Sequence, residues 1–447
     1  MAKTGKSENA PTNGYYVTGM SILEEARGCW QSLSEFRRER KRNKDYTFGK
    51  QWGDMITING RKMTEYDYII SEGHMPLKNN LIRRIVRNVL GVFRRQLGEK
   101  MSEWDETLRE DSSRNGLYEL YSRIMEEFLI SGIAVCRKWK GVQKGEHGCW
   151  TDTVAPDNLF FDSTSHDSRG WDMGMVGQFH ELSFSDYCKV FISRKRDYEF
   201  LLSRHSANAK IRVAEIWRHE QRPRRLVHDT LHGRVIIMDE SLWDADASIK
   251  SFPSKWFLDD VWHYYFLDME GNILKEGDSP YLNGGHPYVV KCYPFLDGEI
   301  HSFVADILDQ QKYTNRLITM YDWIMRASAK GVLLIPEGAV EPENMQDVVD
   351  QWSKFNGVIV YKTKAGQPDP RQVSGNATNI GISELLDIQL KMLEDVSGVN
   401  GALQGNVANN SVSGTLYNQQ TQNALTSLSD ILDTFAAFIS DCNALKL

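Results

Sequence analysis

Chemistry in this chain would have to come from four groupings of residues, and each lacks a part. Thr4-Gly5-Lys6-Ser7 has the end of a phosphate-binding loop, but neither the upstream glycine nor the strand that such a loop needs. Asp152, Asp157, Asp162 and Asp167 recur around one turn region. Clustered carboxylates can hold Mg²⁺ for phosphoryl chemistry, yet no lysine or histidine completes a nuclease site, and aspartate is a common turn former. His147 and Cys149 with Cys136 follow no zinc spacing. His228 and His232 flank Asp229 in a strand-turn context that does not put both on one helix face. No G-x-S-x-G or H-E-x-x-H run occurs. The expectation is a protein that is not an enzyme, with no cofactor and no metal.

The elements that would have positioned such groups are more telling. A helical pattern over 382–397, with Leu386, Leu390, Leu393 and Val396 in register, stops at Ser397-Gly398-Val399-Asn400-Gly401. A polar loop rich in Gly, Asn and Ser follows, and a second helical pattern over 414–442 carries Leu425, Leu428, Leu432, Phe435 and Ile439. Two helices presenting a small, uncharged loop suit contact with something large that must not be gripped. Gly398, Gly401, Gly405 and Gly414 give that loop backbone freedom.

With 447 residues the chain can build two or three domains with real cores. A net charge of −7 argues against a surface that grips nucleic acid all over, while leaving room for local basic patches. No run of about 18 apolar residues occurs, so no membrane span is expected. The polar opening stretch, residues 1–19, reads as a disordered arm rather than a signal peptide. Six scattered cysteines without C-x-x-C pairing fit a reducing assembly environment.

Along the chain, 20–48 reads as helix and ends in a basic burst, Arg37 to Lys44. Residues 79–97 form a strong amphipathic helix, with Ile82, Ile85, Val89 and Phe93 on one side and Arg83, Arg87 and Arg94, flanked by Arg84 and Arg95, on another. A solvated or salt-bridged face is the first reading of those arginines, contact with DNA or an acidic partner the second. Helix over 116–131 gives way to strand over 132–140, and Ala155-Pro156-Asp157-Asn158 turns into a strand at Leu159–Phe161. Residues 184–204 read as charged helix. From Ile211 to about Val290 short strands alternate with turns (Ile211–Trp217, Gly233–Asp239, Val261–Asp268), a compact β-rich insertion. Residues 301–329 form one long helix with Gln310, Gln311, Lys312, Asn315 and Arg316 in its first half. Strand-like Gly331–Ile335 and Gly357–Tyr361 bracket a short helix at 342–352.

Four stretches, in this order, resemble the portal proteins of tailed bacteriophages, closest to those of short-tailed phages. They are the basic helix leading to Phe48-Gly49-Lys50-Gln51-Trp52, the arginine helix Asn79–Gln96, the turn Val154–Asp162, and the run from Asp306–Asn315 through Ser397-Gly398 to Ser413-Gly414. The resemblance implies an α+β, mainly helical portal fold with an α/β wing, long stem helices and a β-rich clip. On that scheme 1–19 is the arm, 20–183 the first part of the wing, 184–205 the first stem region, 206–295 the clip, 296–330 the second stem helix, and 331–447 the rest of the wing, with a tunnel loop near 398–414. Family members often continue into a crown or barrel. Here the sequence stops at Leu447, and a minimal crown and a longer chain both stay open.

The family's role implies a ring of about twelve subunits at a capsid vertex, assembled in the bacterial cytoplasm. Double-stranded DNA would pass through it without sequence readout during packaging and ejection. The implied partners are the terminase large subunit, the major capsid protein and a head–tail connector or adaptor, with no membrane. Carried onto this chain, the DNA-facing positions are Asn400, Gln404, Asn406, Asn409, Asn410 and Ser411, with Lys312 and Arg316 in the channel wall. Arg83, Arg87 and Arg94 then serve subunit or capsid contacts. Polar uncharged side chains offer phosphates weak, replaceable hydrogen bonds, which suits a sliding polyanion. A metal-dependent nuclease or packaging ATPase, or another phage head protein, are the alternatives.

Overall fold

The computed structural model describes residues 18–143, 145–204, 206, 209–230, 232–245, 248–281, 284–330, 332–334, 345–353, 371–373, 381–401, 403 and 414–445. In chain order come α1 (Gly19–Ser32), α2 (Ser34–Thr47), β1 (Met55–Ile58), β2 (Arg61–Thr64), α3 (Glu65–Ser71), α4 (Leu81–Ser102), α5 (Glu106–Asn115) and α6 (Leu117–Ser131). Next are β3 (Ile133–Gln143), β4 (Glu146–Thr153), β5 (Leu159–Phe161), β6 (Met175–Ser183), α7 (Phe184–Phe191), α8 (Lys195–Arg204), β7 (Lys210–Asp229), β8 (Arg234–Asp239) and α9 (Glu240–Ala245). Then follow β9 (Ser254–Asp268), β10 (Ile273–Asp278), β11 (Tyr288–Cys292), β12 (Phe295–Leu296), β13 (Glu299–Ile300), α10 (Phe303–Lys330) and β14 (Val332–Leu334). The last are α11 (Met345–Ser353), β15 (Arg371–Val373), α12 (Ile382–Ser397), α13 (Gly414–Ser427) and α14 (Ser429–Ala444). The fold class is α+β, as expected.

The chain divides into two units, one of Met1–Lys44, Val86–Ala305 and Ala402–Leu447, the other of Asp45–Ile85 and Asp306–Gly401. The first unit is layered. Its centre is a sheet of order β10-β9-β7-β6-β5, with β8 added along the far part of β7. Alternation along the strands sends Phe160, Phe179, Ala214, Ile216, Tyr265 and Leu267 to one face, where Ile22, Leu23 and Ala26 of α1 cover them. The other face carries Leu159, Phe161, Val176 and Trp217 against Ile133, Val135, Tyr288 and Val290 of the three-stranded sheet β11-β3-β4. On the outer side of that smaller sheet an aromatic cluster of Phe93, Tyr121, Phe128, Phe435 and Phe438 joins α4, α6 and α14.

In the second unit, β1 and β2 pair across Asn59-Gly60, both at positive φ (51° and 78°). That is the two-residue hairpin turn for which Asn-Gly is the favoured pair. Helix α10 supplies the buried Ile307, Leu308 and Leu317.

Several elements depart from expectation. The helix expected over 184–204 is two, α7 and α8, because Ile192 is extended (φ −108°, ψ 118°) and its amide caps α7 at the Cys188 carbonyl. Single helices expected over 20–48 and 414–442 break at Leu33 and Leu428. The β-rich stretch 206–295 does not keep its strands to itself: β7 pairs with β6 over nine positions, Met175↔Arg218 to Ser183↔Lys210, and β11 pairs with β3. Strand β7 runs on through a charged segment because ion pairs to β9, β10 and α9 take over from apolar contacts. Arg222 meets Asp278 at 2.7 Å, Arg224 meets Asp259 at 2.8 Å, and Arg225 meets Glu240 at 2.8 Å. The strand expected at Gly357–Tyr361 lies outside the described residues.

Candidate functional site

The polar first half of α10 turns inward within the second unit. Gln311, Thr314 and Asn315 are fully buried. The Gln311 carbonyl oxygen accepts from the Leu81 and Ile82 amides (2.9 and 3.1 Å), and its amide donates to the Asn79 carbonyl at 2.7 Å. A helix start leaves its first amides without intrahelical partners, so Gln311 acts as a distant cap for α4. Asn80 caps the same start through the Arg83 amide at 3.1 Å. Asn315 donates to Gln51 Oε1 at 2.8 Å, and Gln51 reaches the Tyr46 carbonyl and Asn80 Oδ1, each at 3.0 Å.

The two expected channel-wall cations lie beside this network and are already matched. Lys312 Nζ is 2.6 Å from Asp54, and Arg316 Nε is 2.7 Å from Glu65. The hydrogen bond that Arg316 donates to the Glu65 carboxylate holds its guanidinium above its ordinary range, its partial burial opposing. Both side chains therefore carry less for a phosphate backbone than their sequence positions suggest.

Helix α4 buries Ile82, Ile85, Val86, Val89, Phe93 and Leu97. The exposed residues Arg84, Arg87, Arg94 and Arg95 fall on the opposite side at i, i+3, i+10 and i+11. Among the described residues none of these four has an ion-pair partner; the Arg94 guanidinium lies 5.1 Å from the Tyr118 ring centre. Arg83 differs, being half-buried with its guanidinium 4.8 Å from the centre of the Phe48 ring. The arginines expected to act together are thus one packed residue, Arg83, and four exposed ones, of which Arg94 lies over the Tyr118 ring.

Helix α12 is apolar on two sides. Ile382, Gln389, Leu393 and Ser397 are buried. Leu385, Ile388, Met392 and Val396 form a second stripe at helical spacing and stay 44%, 50%, 48% and 49% exposed. Tyr313, Met320, Tyr321 and Met325 of α10 are likewise exposed. Val396, in register with Leu393 in the sequence, belongs to the exposed stripe while Leu393 is buried, because periodicity alone does not separate a core stripe from an interface stripe. At Gly398 the chain turns left-handed (φ 66°), which ends α12 and suits only a residue without Cβ. Of the expected DNA-facing residues Asn400 is half-buried, whereas Gln404, Asn406, Asn409, Asn410 and Ser411 lie outside the described residues.

The groupings that could have done catalysis have other partners. Asp152 accepts from the Trp139 indole at 2.6 Å, Asp157 pairs with Arg40 at 2.7 Å, and Asp167 forks with Arg169 at 2.8 Å. His232 bonds Asp229 at 2.8 Å. The Cys136 sulfur contacts that of Cys442, not His147 or Cys149. Among the described residues no three His, Cys, Asp or Glu side chains gather to hold a metal ion, and no helix is long and apolar enough to cross a membrane.

The family model described as Phage P22-like portal protein matches residues 104–442, most of the chain. The chain belongs to that family. No match was found among curated proteins. This portal chain is accordingly a structural component of a tailed-phage capsid, from a family of structural proteins and not of enzymes. The matched region takes in both sheets of the first unit, α10, the exposed stripe of α12 and most of α14, and leaves α1, α2 and α4 outside it.

Proposed function

We propose that the portal chain assembles, through α12 and α10, into a closed ring of about twelve subunits whose channel carries double-stranded DNA into and out of the capsid. The observation that carries this reading is the exposed stripe Leu385, Ile388, Met392 and Val396, seconded by Tyr313, Met320 and Met325. A contiguous apolar helix face exposed in a single chain marks a surface that another molecule covers, and in a ring that molecule is the next copy. The loop after Gly398 then faces the channel, with Asn400, Gln404, Asn406, Asn409, Asn410 and Ser411 meeting phosphates without base readout. Lys312 and Arg316 contribute to the wall as neutralised pairs. Arg84, Arg87, Arg94 and Arg95, with Arg83 packed beside them, serve acidic surfaces of neighbouring subunits or of the major capsid protein. The ring docks the terminase large subunit during packaging and a head–tail connector afterwards, and it hydrolyses nothing itself.

Negative-stain electron microscopy with mass photometry on the same sample tests this. Closed rings with a central hole, at a mass near a dozen subunits, are expected. Nucleotide-dependent hexamers or closed icosahedral shells would overturn it.

A further inference from the structure

The layered unit holds a cavity of about 760 Å³. It opens where the two sheets part beyond their shared core. Arg137 and Trp139 continue the face of β3 that carries Ile133 and Val135, and Val213 and Glu215 continue the face of β7 that carries Trp217. Trp139, Phe191, Trp217, Tyr264, Phe266 and Tyr281 line it, so its walls offer flat apolar surface on several sides. The volume falls within the range of about 300–1,000 Å³ typical of small-molecule sites.

A charged group is built into the floor. Glu215 has no exposed side-chain surface. Its carboxylate takes the His180 Nε2 at 2.7 Å, the Trp217 indole at 2.9 Å and the Arg137 Nε at 3.0 Å. Because Arg137 spends only Nε on Glu215, its terminal guanidinium nitrogens have no partner among the described residues, and Arg137 lines the cavity. Lys140 and Lys275, both exposed, also line it and have no carboxylate partner among the described residues. Asp152 is held by the Trp139 indole. Three basic side chains, Arg137, Lys140 and Lys275, thus face two carboxylates that are already engaged. A burial-desolvated guanidinium fork with free donors is suited to an oxyanion.

We propose that this cavity binds a small amphipathic organic anion. A flat aromatic or apolar body lies between the Trp139 side and the Trp217–Tyr264–Phe266 side, and a carboxylate, phosphate or sulfonate is held by Arg137 with Lys140 and Lys275 at the rim. The proposal does not depend on the ring or on DNA.

The test uses the full chain and two fluorescent probes, 8-anilinonaphthalene-1-sulfonate and its uncharged analogue N-phenyl-1-naphthylamine. Lys140→Glu and Lys275→Glu alter exposed side chains and leave the core intact; Lys100→Glu makes the same charge change on the exposed end of α4. The expected result is saturable sulfonate binding weakened about tenfold by each rim variant and lost in the double variant. Lys100→Glu should leave that binding unchanged, and the uncharged analogue should not respond to any variant. Equal sulfonate affinity in the rim variants, equal weakening by Lys100→Glu, or parallel loss of the uncharged probe would each overturn the assignment.

Discussion

Replacing Ile388 by aspartate puts a charge at the centre of the exposed α12 stripe, and the structure sets the size of the effect. Fully burying an aliphatic side chain is worth about 1.5–3 kcal/mol. Leu385, Ile388, Met392 and Val396 each have about half of that still to gain. Covering the stripe with a neighbouring copy therefore stabilises the contact by roughly 4 kcal/mol, about a thousandfold in association constant. Ile388→Ala removes about 1 kcal/mol of this, roughly a fivefold shift in the concentration at which the chain assembles. Ile388→Asp adds the cost of desolvating an unpaired carboxylate, several kcal/mol, and should shift assembly by at least about a hundredfold. Mass photometry across a dilution series reads the shift, and circular dichroism checks the monomer. Little change in helicity is expected, because Ile388 lies on the open side of α12 and aspartate costs only a few tenths of a kcal/mol more in a helix. Unchanged assembly in Ile388→Asp with an intact monomer refutes the assignment of this stripe to the subunit interface.

Other outcomes follow from the buried polar groups. Gln311→Leu strips two α4 amides and the Asn79 carbonyl of their partners, and should lower unfolding stability by about 3 kcal/mol in denaturant melts, whereas Gln311→Glu restores the acceptor and loses the donor. Burial would raise the Glu215 carboxyl, but the Arg137 charge and the hydrogen bonds from His180 and Trp217 outweigh it and hold it at about 2. Since that lies below the ordinary carboxylate value, its contribution is complete above about pH 4.5 and is lost as pH falls towards 2, about 3 kcal/mol in all. Glu215→Gln should flatten that part of the stability profile and, by stranding Arg137, cost about 3 kcal/mol at neutral pH. Burial lowers His286 to about 4, and its Nδ1 has no hydrogen-bond partner among the described residues. The unfolded chain therefore takes up a proton first, and stability should fall from about pH 6.5 towards 4 in the native chain but not in His286→Phe. Burial pushes the Cys292 thiol up to about 12 and raises Cys442, which touches Cys136 at 3.1 Å. A thiol reagent at pH 8 should leave these three cysteines unlabelled until the chain is unfolded.

Much of the frame was legible in the chain. The apolar spacing of α4 survives folding because that helix buries one continuous side, and period alone reports that; α10 and α12 form as helices but leave part of their apolar residues exposed. The Ala155-Pro156 turn led into β5 as expected, since proline excludes helix just before it. The Asn59-Gly60 pair is the favoured two-residue hairpin turn, but its flanking strands have four residues each and the second, Arg61–Thr64, opens on two charged residues, so the pattern around it is weak. The sequence pattern ends this strand at Trp217, because Arg218–Arg225 is charged and lacks apolar alternation, whereas β7 continues to Asp229. Its partners lie on β8, β9, β10 and α9, up to 56 positions away in sequence.

The candidate site divides along the same line. Local sequence sets whether a residue has a helix face to lie on, and it set where α12 must stop, because only Gly398 takes the left-handed turn without strain. It does not set which apolar face is core and which is left for another copy, nor whether a basic residue finds a carboxylate. Lys312 and Arg316 stand as unmatched cations in the sequence until Asp54 and Glu65 are brought beside them, and nothing near Gln311 in sequence indicates that it closes the start of α4. Those outcomes depend on contacts between residues more than 200 positions apart. Burial and charge pairing belong to such contacts, and no window along the chain contains both partners.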